Sequence, residues 1–346
     1  MARIIILHPL SSVLVFTVIG CSTQTGPDSN VQVFRTVDQE GVARRAKLAD
    51  EWVQLALKFN NADRPDAKTT AHPTQKLAVV ASADGVERVI DLTPLSEKLA
   101  GSPGKEREPI RAKLAEEMRL LDRERLIKLG FDKARNLLHP VLASGKQLAD
   151  MARSAGAQTP VSRAIVIDLN WVPVARWPGS DAQTPVEPDV VKAWFTTTDN
   201  VVDAALANLK RDFVTASQGA PVFDTSELPG LGRYGTLRSG MDPGYALLPE
   251  FLSAVRRAWE MEDDLVLLMP ARTSVTFVAR ANTKVQDRMI PEWEKRFASF
   301  ADPLIGVPVV LTERGAELST YKPAGAAGAK PATKPAPPKP TGYIVN

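Results

Sequence analysis

The sequence predicts an α+β fold: a single domain with a largely antiparallel sheet and packed helices. Two observations carry this. Short runs rich in β-branched residues come in pairs joined by turn residues, the pattern of neighbouring antiparallel strands. Between the pairs lie longer segments with apolar residues three and four apart, the pattern of helices with one buried face. No repeat of fixed period is present.

The elements follow in order. Residues 41–59 read as a helix with Leu48, Trp52, Leu55 and Phe59 on one stripe. Residues 76–81 and 86–91 flank Ala83-Asp84-Gly85, and Asp-Gly between apolar runs signals a hairpin. Residues 106–138 carry alternating charge, with Ile110, Leu114, Met118 and Leu121 at helical spacing. Their charges read as a solvated face, and Gly130 divides the segment into two helices. Strands are expected at 162–168 and 171–177, with Pro173 marking an edge strand. A short helix starts at Pro188, which suits a first helical position. Helices follow at 199–216 and 245–260, then strands at 265–269 and 273–279 joined by Pro270-Ala271-Arg272. A helix at 284–299 is expected to bend or restart at Pro291, and a last hairpin turns near Gly315.

Composition narrows the chemistry. One cysteine excludes a disulfide scaffold, and one cysteine with three histidines argues against a zinc cluster. The 346 residues carry a net charge of +3, but residues 21–321 hold 38 basic and 40 acidic side chains, a net of −2. The basic character therefore sits at the ends, and the domain lacks the concentrated positive face that nucleic-acid binding needs. Residues 322–346 hold four lysines and no acid, in runs such as Pro337-Pro338-Lys339-Pro340. They read as a disordered basic Pro/Ala-rich tail that samples polyproline II.

The N-terminus carries the most specific signal. Met1-Ala2-Arg3 is a short positive region, and residues 4–19 are mostly apolar, interrupted by His8-Pro9. The run is short for a membrane span and suits a secretory signal. It ends in Val18-Ile19-Gly20-Cys21, which resembles the lipobox of bacterial lipoproteins. That resemblance implies cleavage after residue 20 and acylation of Cys21; the small polar run at 22–30 reads as a tether, which gives 21–40 as acylated cysteine and linker and 41–321 as the domain. Two acyl chains give stable anchoring, at about 0.8 kcal/mol per buried methylene. Residue 22 is Ser rather than Asp, which by the same resemblance implies the outer membrane, facing the periplasm.

Residues 75–320 resemble, in three short stretches, the YtpQ-like family of uncharacterised proteins. The first is Val202-Asp203-Ala204-Ala205-Leu206-Ala207-Asn208-Leu209. The second is Asp242-Pro243-Gly244-Tyr245-Ala246 entering a helix, and the third is Asp264–Phe277. The family tends to have Arg-Asp where this chain has Arg272-Thr273. The family has no established activity, so the resemblance implies a fold more than a function.

Candidate chemistries are few. Gly230-Leu231-Gly232-Arg233-Tyr234-Gly235 spells a dinucleotide fingerprint, but no helical periodicity follows it, so it reads as a flexible loop. Ser319-Thr320-Tyr321-Lys322 spells S-x-x-K on a strand end, where that motif needs a helix start. His72 reads as a loop residue and His139 as a helix-end residue, without a nucleophile elbow nearby. Glu260, Glu262, Asp263 and Asp264 cluster at a helix end and read as a solvated turn. Trp171 and Trp177 share a strand face and are candidates for stacking on a sugar ring, with core burial as the favoured alternative. Arg176 and Arg272 are candidate clamps for a carboxylate.

Two readings result. The first is an outer-membrane lipoprotein that binds a partner without catalysis, anchored in the membrane and contacting peptidoglycan or another envelope component. No cofactor, metal or nucleic acid is expected. The second is an envelope hydrolase acting on a peptide or glycan, using carboxylates of 260–264 under a lid at 230–240. The lack of a matched nucleophile and base favours the first.

Overall fold

The computed structural model of the chain describes residues 47, 49–99, 107–153, 158–297, 299–300 and 303–320. The expected signal peptide, Cys21, the linker, Leu48 and the tail lie outside these residues. Helices and exclusively antiparallel strand pairings make an α+β domain, as expected, but the described strands divide among three sheets.

The first sheet is β1 (Lys68–Ala71), β2 (Ala78–Ala83) and β3 (Val86–Asp91), in that order. The Asp-Gly hairpin is present. Asp84 and Gly85 have φ of 50° and 73°, and the positive φ at both central positions matches the twist of the flanking strands. The sheet packs on helix α1, residues 51–63, and on α3 (Arg107–Leu129), after a short helix α2 (Thr93–Leu99). Trp52, Val53 and Ala56 of α1 meet Val79, Ala81 and Ile90 of the strands and Ile110, Leu114, Met118 and Leu121 of α3.

The predicted break at Gly130 is found, with φ 74°, between α3 and the one-turn helix α4 (Phe131–Ala134). Then comes β4 (Leu138–Ser144), where the sequence pattern suggested a helix end. It leads into α5 (Gly145–Arg153) through a reciprocal cap. The Gln147 amide N–H donates to Ser144 Oγ, and Gln147 Oε1 accepts from the Ser144 amide.

The second sheet joins β4, β5 (Arg163–Val166), β6 (Leu169–Arg176) and β7 (Gln183–Pro185). The edge expected from Pro173 is not an edge: β6 pairs with β4 on one side and with β5 and β7 on the other. Pro173 stands directly opposite Pro140. Neither has an N–H, so the two tolerate each other only as a pair that exchanges no hydrogen bonds. The Pro173 carbonyl accordingly faces away from β4 and accepts from the Val186 amide at 3.0 Å.

After α6 (Pro188–Ala193) and α7 (Thr198–Gly219) comes the third sheet, in the order β13-β12-β10-β11-β9-β8. Its strands are β8 (Phe223–Leu228), β9 (Gly232–Leu237), β10 (Leu265–Ala271), β11 (Ser274–Ala279), β12 (Val309–Thr312) and β13 (Gly315–Leu318). A 3₁₀ turn at Pro243–Leu247 and helix α8 (Pro249–Trp259) pack with α7 on one face, and α9 (Thr283–Phe297) covers the other. This explains why Leu265-Val266-Leu267-Leu268-Met269 does not alternate: every residue of β10 is buried. Helix α9 runs through Pro291 without restarting.

The glycine fingerprint at 230–235 is neither cradle nor loose loop. It is the turn and first half of β9 in the β8–β9 hairpin. Gly235 sits directly opposite Phe277, and a Cβ there would lie 2.1 Å from the ring.

Candidate functional site

The charges of α3 form a solvated face only in part: Arg107, Glu108, Arg111 and Lys128 are exposed, while Glu117, Asp122 and Arg125 are buried. Asp122 and Arg125 are 2% and 4% exposed, and they organise a network spanning four segments. Asp122 accepts a forked pair of hydrogen bonds from Arg64, at 2.8 and 2.9 Å, just after α1. It also accepts from Arg125 at 2.9 Å and from the Thr184 hydroxyl of β7 at 2.8 Å. Arg125 continues to Asp66 at 2.7 Å and to Asp84 in the β2–β3 turn. Its guanidinium lies 3.6 Å from the ring centroid of Trp177, whose indole N–H donates to Thr184.

Electrostatics follow from this packing. Burial works against ionising Asp66, but hydrogen bonds from Arg64 and Arg125 outweigh it and hold the carboxyl well below the usual range. Burial likewise works against the charge on Arg64, and its bonds to Asp66 and Asp122 outweigh that and raise its pKa. Glu117 follows the same balance, held low by Lys113 and Arg88.

Above this network lies a cavity of about 420 Å³ between α1, α3 and β7. Phe59, Leu114, Met118, Met151 and Pro185 supply its apolar surface, and Arg64, Asp122 and Thr184 join it to the network. At its rim Arg111 pairs with Asp63 at 2.9 Å and lies 5.7 Å from the Phe59 ring centroid. Both charges are largely in solvent, with side chains 54% and 47% exposed. A cavity of this size with a few fixed polar groups suits a small ligand.

The candidates drawn from sequence fall elsewhere. Trp171 and Trp177 are 7% and 3% exposed, in separate parts of the core, so they present no stacking surface and the burial alternative holds. Arg176 is bonded to Asp242 at 3.1 Å, and Arg272 donates to Gln147 at 3.3 Å. None of the two tryptophans and two arginines lines the cavity between α1, α3 and β7. In the acidic cluster, Asp263 accepts from the Ala281 amide, while Asp264 accepts from Arg256 and Arg280. These carboxylates tie β10 to its neighbours and are not a free acid pair. Among the described residues no group of His, Cys, Asp and Glu is arranged to hold a metal, and no helix is long and apolar enough to cross a membrane.

The histidines are also placed. His72 Nδ1 accepts from the amides of Thr74 and Gln75, closing the loop between β1 and β2. His139 lies on β4 rather than at a helix end, and its Nδ1 is 3.4 Å from Asp212 without a hydrogen bond. Burial pushes its pKa down and Arg176 and Arg211 add to this, against the opposing pull of Asp212 and Asp242. The unfolded chain therefore takes up the proton first. Stability is expected to be level above about pH 6.5, the ordinary imidazole value, and to fall as pH drops below it toward the folded value. Urea midpoints between pH 7.5 and 5 check this: His139→Gln should show a smaller decline than the native chain, and an equal decline would remove His139 as its source.

Comparison with family models, curated proteins and solved structures finds no match to this chain.

Proposed function

We propose that the chain is a lipid-anchored protein of the bacterial cell envelope, held in the outer membrane through Cys21, whose α+β domain binds a ligand without transforming it. The observation that carries the binding role is the cavity between α1, α3 and β7. Its inner polar groups are locked to one another, Asp122 by four donated hydrogen bonds, which suits a rigid recognition surface. A general acid or base needs a free position toward its substrate, and Asp122 has its lone pairs filled. The basic tail adds a salt-sensitive contact with anionic envelope polymers such as peptidoglycan.

The anchor is tested by growth with labelled palmitate. The native chain should take up label and Cys21→Ala should take up none; label on the variant would overturn the anchor. The tail contact is tested by sedimentation with purified peptidoglycan sacculi. Binding by the full chain should be lost at high salt and on deleting residues 322–346. No binding in any condition would remove peptidoglycan as a partner.

A further inference from the structure

We infer that the cavity takes a small amphipathic anion, an apolar body carrying one carboxylate, with Arg111 as the residue that receives the charge. This rests on the reading of the domain as a ligand binder, though not on its membrane anchor.

The walls decide the body of the ligand. Phe59 presents a ring, Leu114 a branched alkyl group and Met118 a thioether, surfaces that take an aromatic or branched apolar group by dispersion and sulfur–ring contact. The charges decide the head group. Three guanidinium groups line the cavity, and each is already paired: Arg64 with Asp66 and Asp122, Arg119 with Glu187, and Arg111 with Asp63, of which only the last pair stands at the exposed rim. Asp122 is saturated by Arg64, Arg125 and Thr184, so a cation entering the cavity would find no free acceptor there. A cation at Asp63 would have to displace Arg111 and leave that guanidinium beside it without its carboxylate.

An anion meets the reverse situation. The Arg111–Asp63 pair is a rim pair of two half-exposed side chains, the kind that contributes only about 0–1 kcal/mol. A ligand carboxylate can take the place of Asp63 on Arg111 while Asp63 turns into water. Arg111 is already held beside the Phe59 ring, so the fork is poised at the mouth over the apolar wall. The apolar body then enters the cavity and the carboxylate stays at the rim.

The test uses the full chain with three probes that share one body: 3-phenylpropionate, 3-phenylpropanol and 3-phenylpropylamine. Binding is read by titration calorimetry and by the methyl resonances of Met118 and Met151. The carboxylate should bind and move both methyl signals, the alcohol should bind more weakly, and the amine should not bind. Arg111→Gln should weaken the carboxylate about tenfold, the loss of one charge-assisted contact. Asp63→Asn should tighten it about two- to threefold by removing the competing negative charge, a gain that misfolding cannot produce. Arg280→Gln, a charge change at the far sheet, should leave it unchanged. Equal binding of all three probes, or of the amine alone, would overturn the anion while keeping the binding role. No methyl shift with any probe would overturn both.

Discussion

Replacing Asp122 with alanine should lower the stability of the domain by about 3–5 kcal/mol, the range for breaking a buried ion pair and leaving its partners unmatched. Asp122 is 2% exposed and accepts hydrogen bonds from Arg64, Arg125 and Thr184. Without it, two buried guanidinium groups share the single carboxylate of Asp66, with Asp84 reaching only Arg125. A loss of that size in a domain this long lowers Tm by about 10 °C. Asp122→Asn keeps the shape and an acceptor but not the charge, so it should fall between the native chain and Asp122→Ala. Asp63→Ala, which removes an exposed carboxylate from the same helix–helix region, should change stability by less than about 0.5 kcal/mol. Urea denaturation of the three variants reads the difference. Equal effects at 63 and 122 would mean that the network adds nothing beyond a surface pair. Acid should weaken the network too. The Asp66 carboxyl is held low in the folded state, so its contribution is full above about pH 4 and is lost as pH falls further.

The same network shows where the sequence was legible and where it was not. Hairpins were readable because Asp84-Gly85 needs two positive φ values, a purely local demand. Helices α1, α7, α8 and α9 were readable because each buries one stripe. Strand β4 was hidden by Pro140 and by the charged helix before it, since pairing with β6 is a long-range event. Strands β8 and β9 were hidden because Gly232 and Gly235 read as loop, whereas Gly235 is there to admit a ring from the next strand. The candidate site was missed for a different reason. Asp122 and Arg125 were counted as solvated because charge runs usually are. Yet their positions continue the stripe Leu114, Met118, Leu121, three and four residues on, so helical geometry alone placed them on the buried face. Only the partners were unreadable: Arg64, Asp66 and Thr184 lie up to 62 residues away. The tryptophans failed as surface candidates because an indole is large and apolar, and the core had room for both.

Gly235→Ala should be destabilising by about 1–3 kcal/mol, toward the upper end, because the added methyl has nowhere to go. Its Cβ would stand 2.1 Å from Cζ and 2.3 Å from Cε2 of Phe277. Phe277 is fully buried and ringed by Phe223, Phe251 and Trp259, with centroids 5.1–5.4 Å away, so it has no empty rotamer to take. The backbone at Gly235 does not have positive φ, so the demand for glycine here is space alone, an aromatic ring laid over a glycine on the neighbouring strand. Two comparisons separate this cause from others. Gly219→Ala, at the last residue of α7 with nothing within 4 Å of its Cβ, should be neutral or stabilising by up to about 1 kcal/mol. Phe277→Leu should itself be destabilising by leaving a cavity, but Gly235→Ala in that background should lose much less than in the native chain. A coupling of about 1 kcal/mol or more between 235 and 277 is therefore expected from the double-mutant cycle. Strict additivity would place the effect in the backbone of β9 and not in the ring. The coupling matters beyond this pair, because Phe277 contacts both β9 and the aromatic cluster that seats α8, so one absent methyl group lets the outer hairpin close on the core.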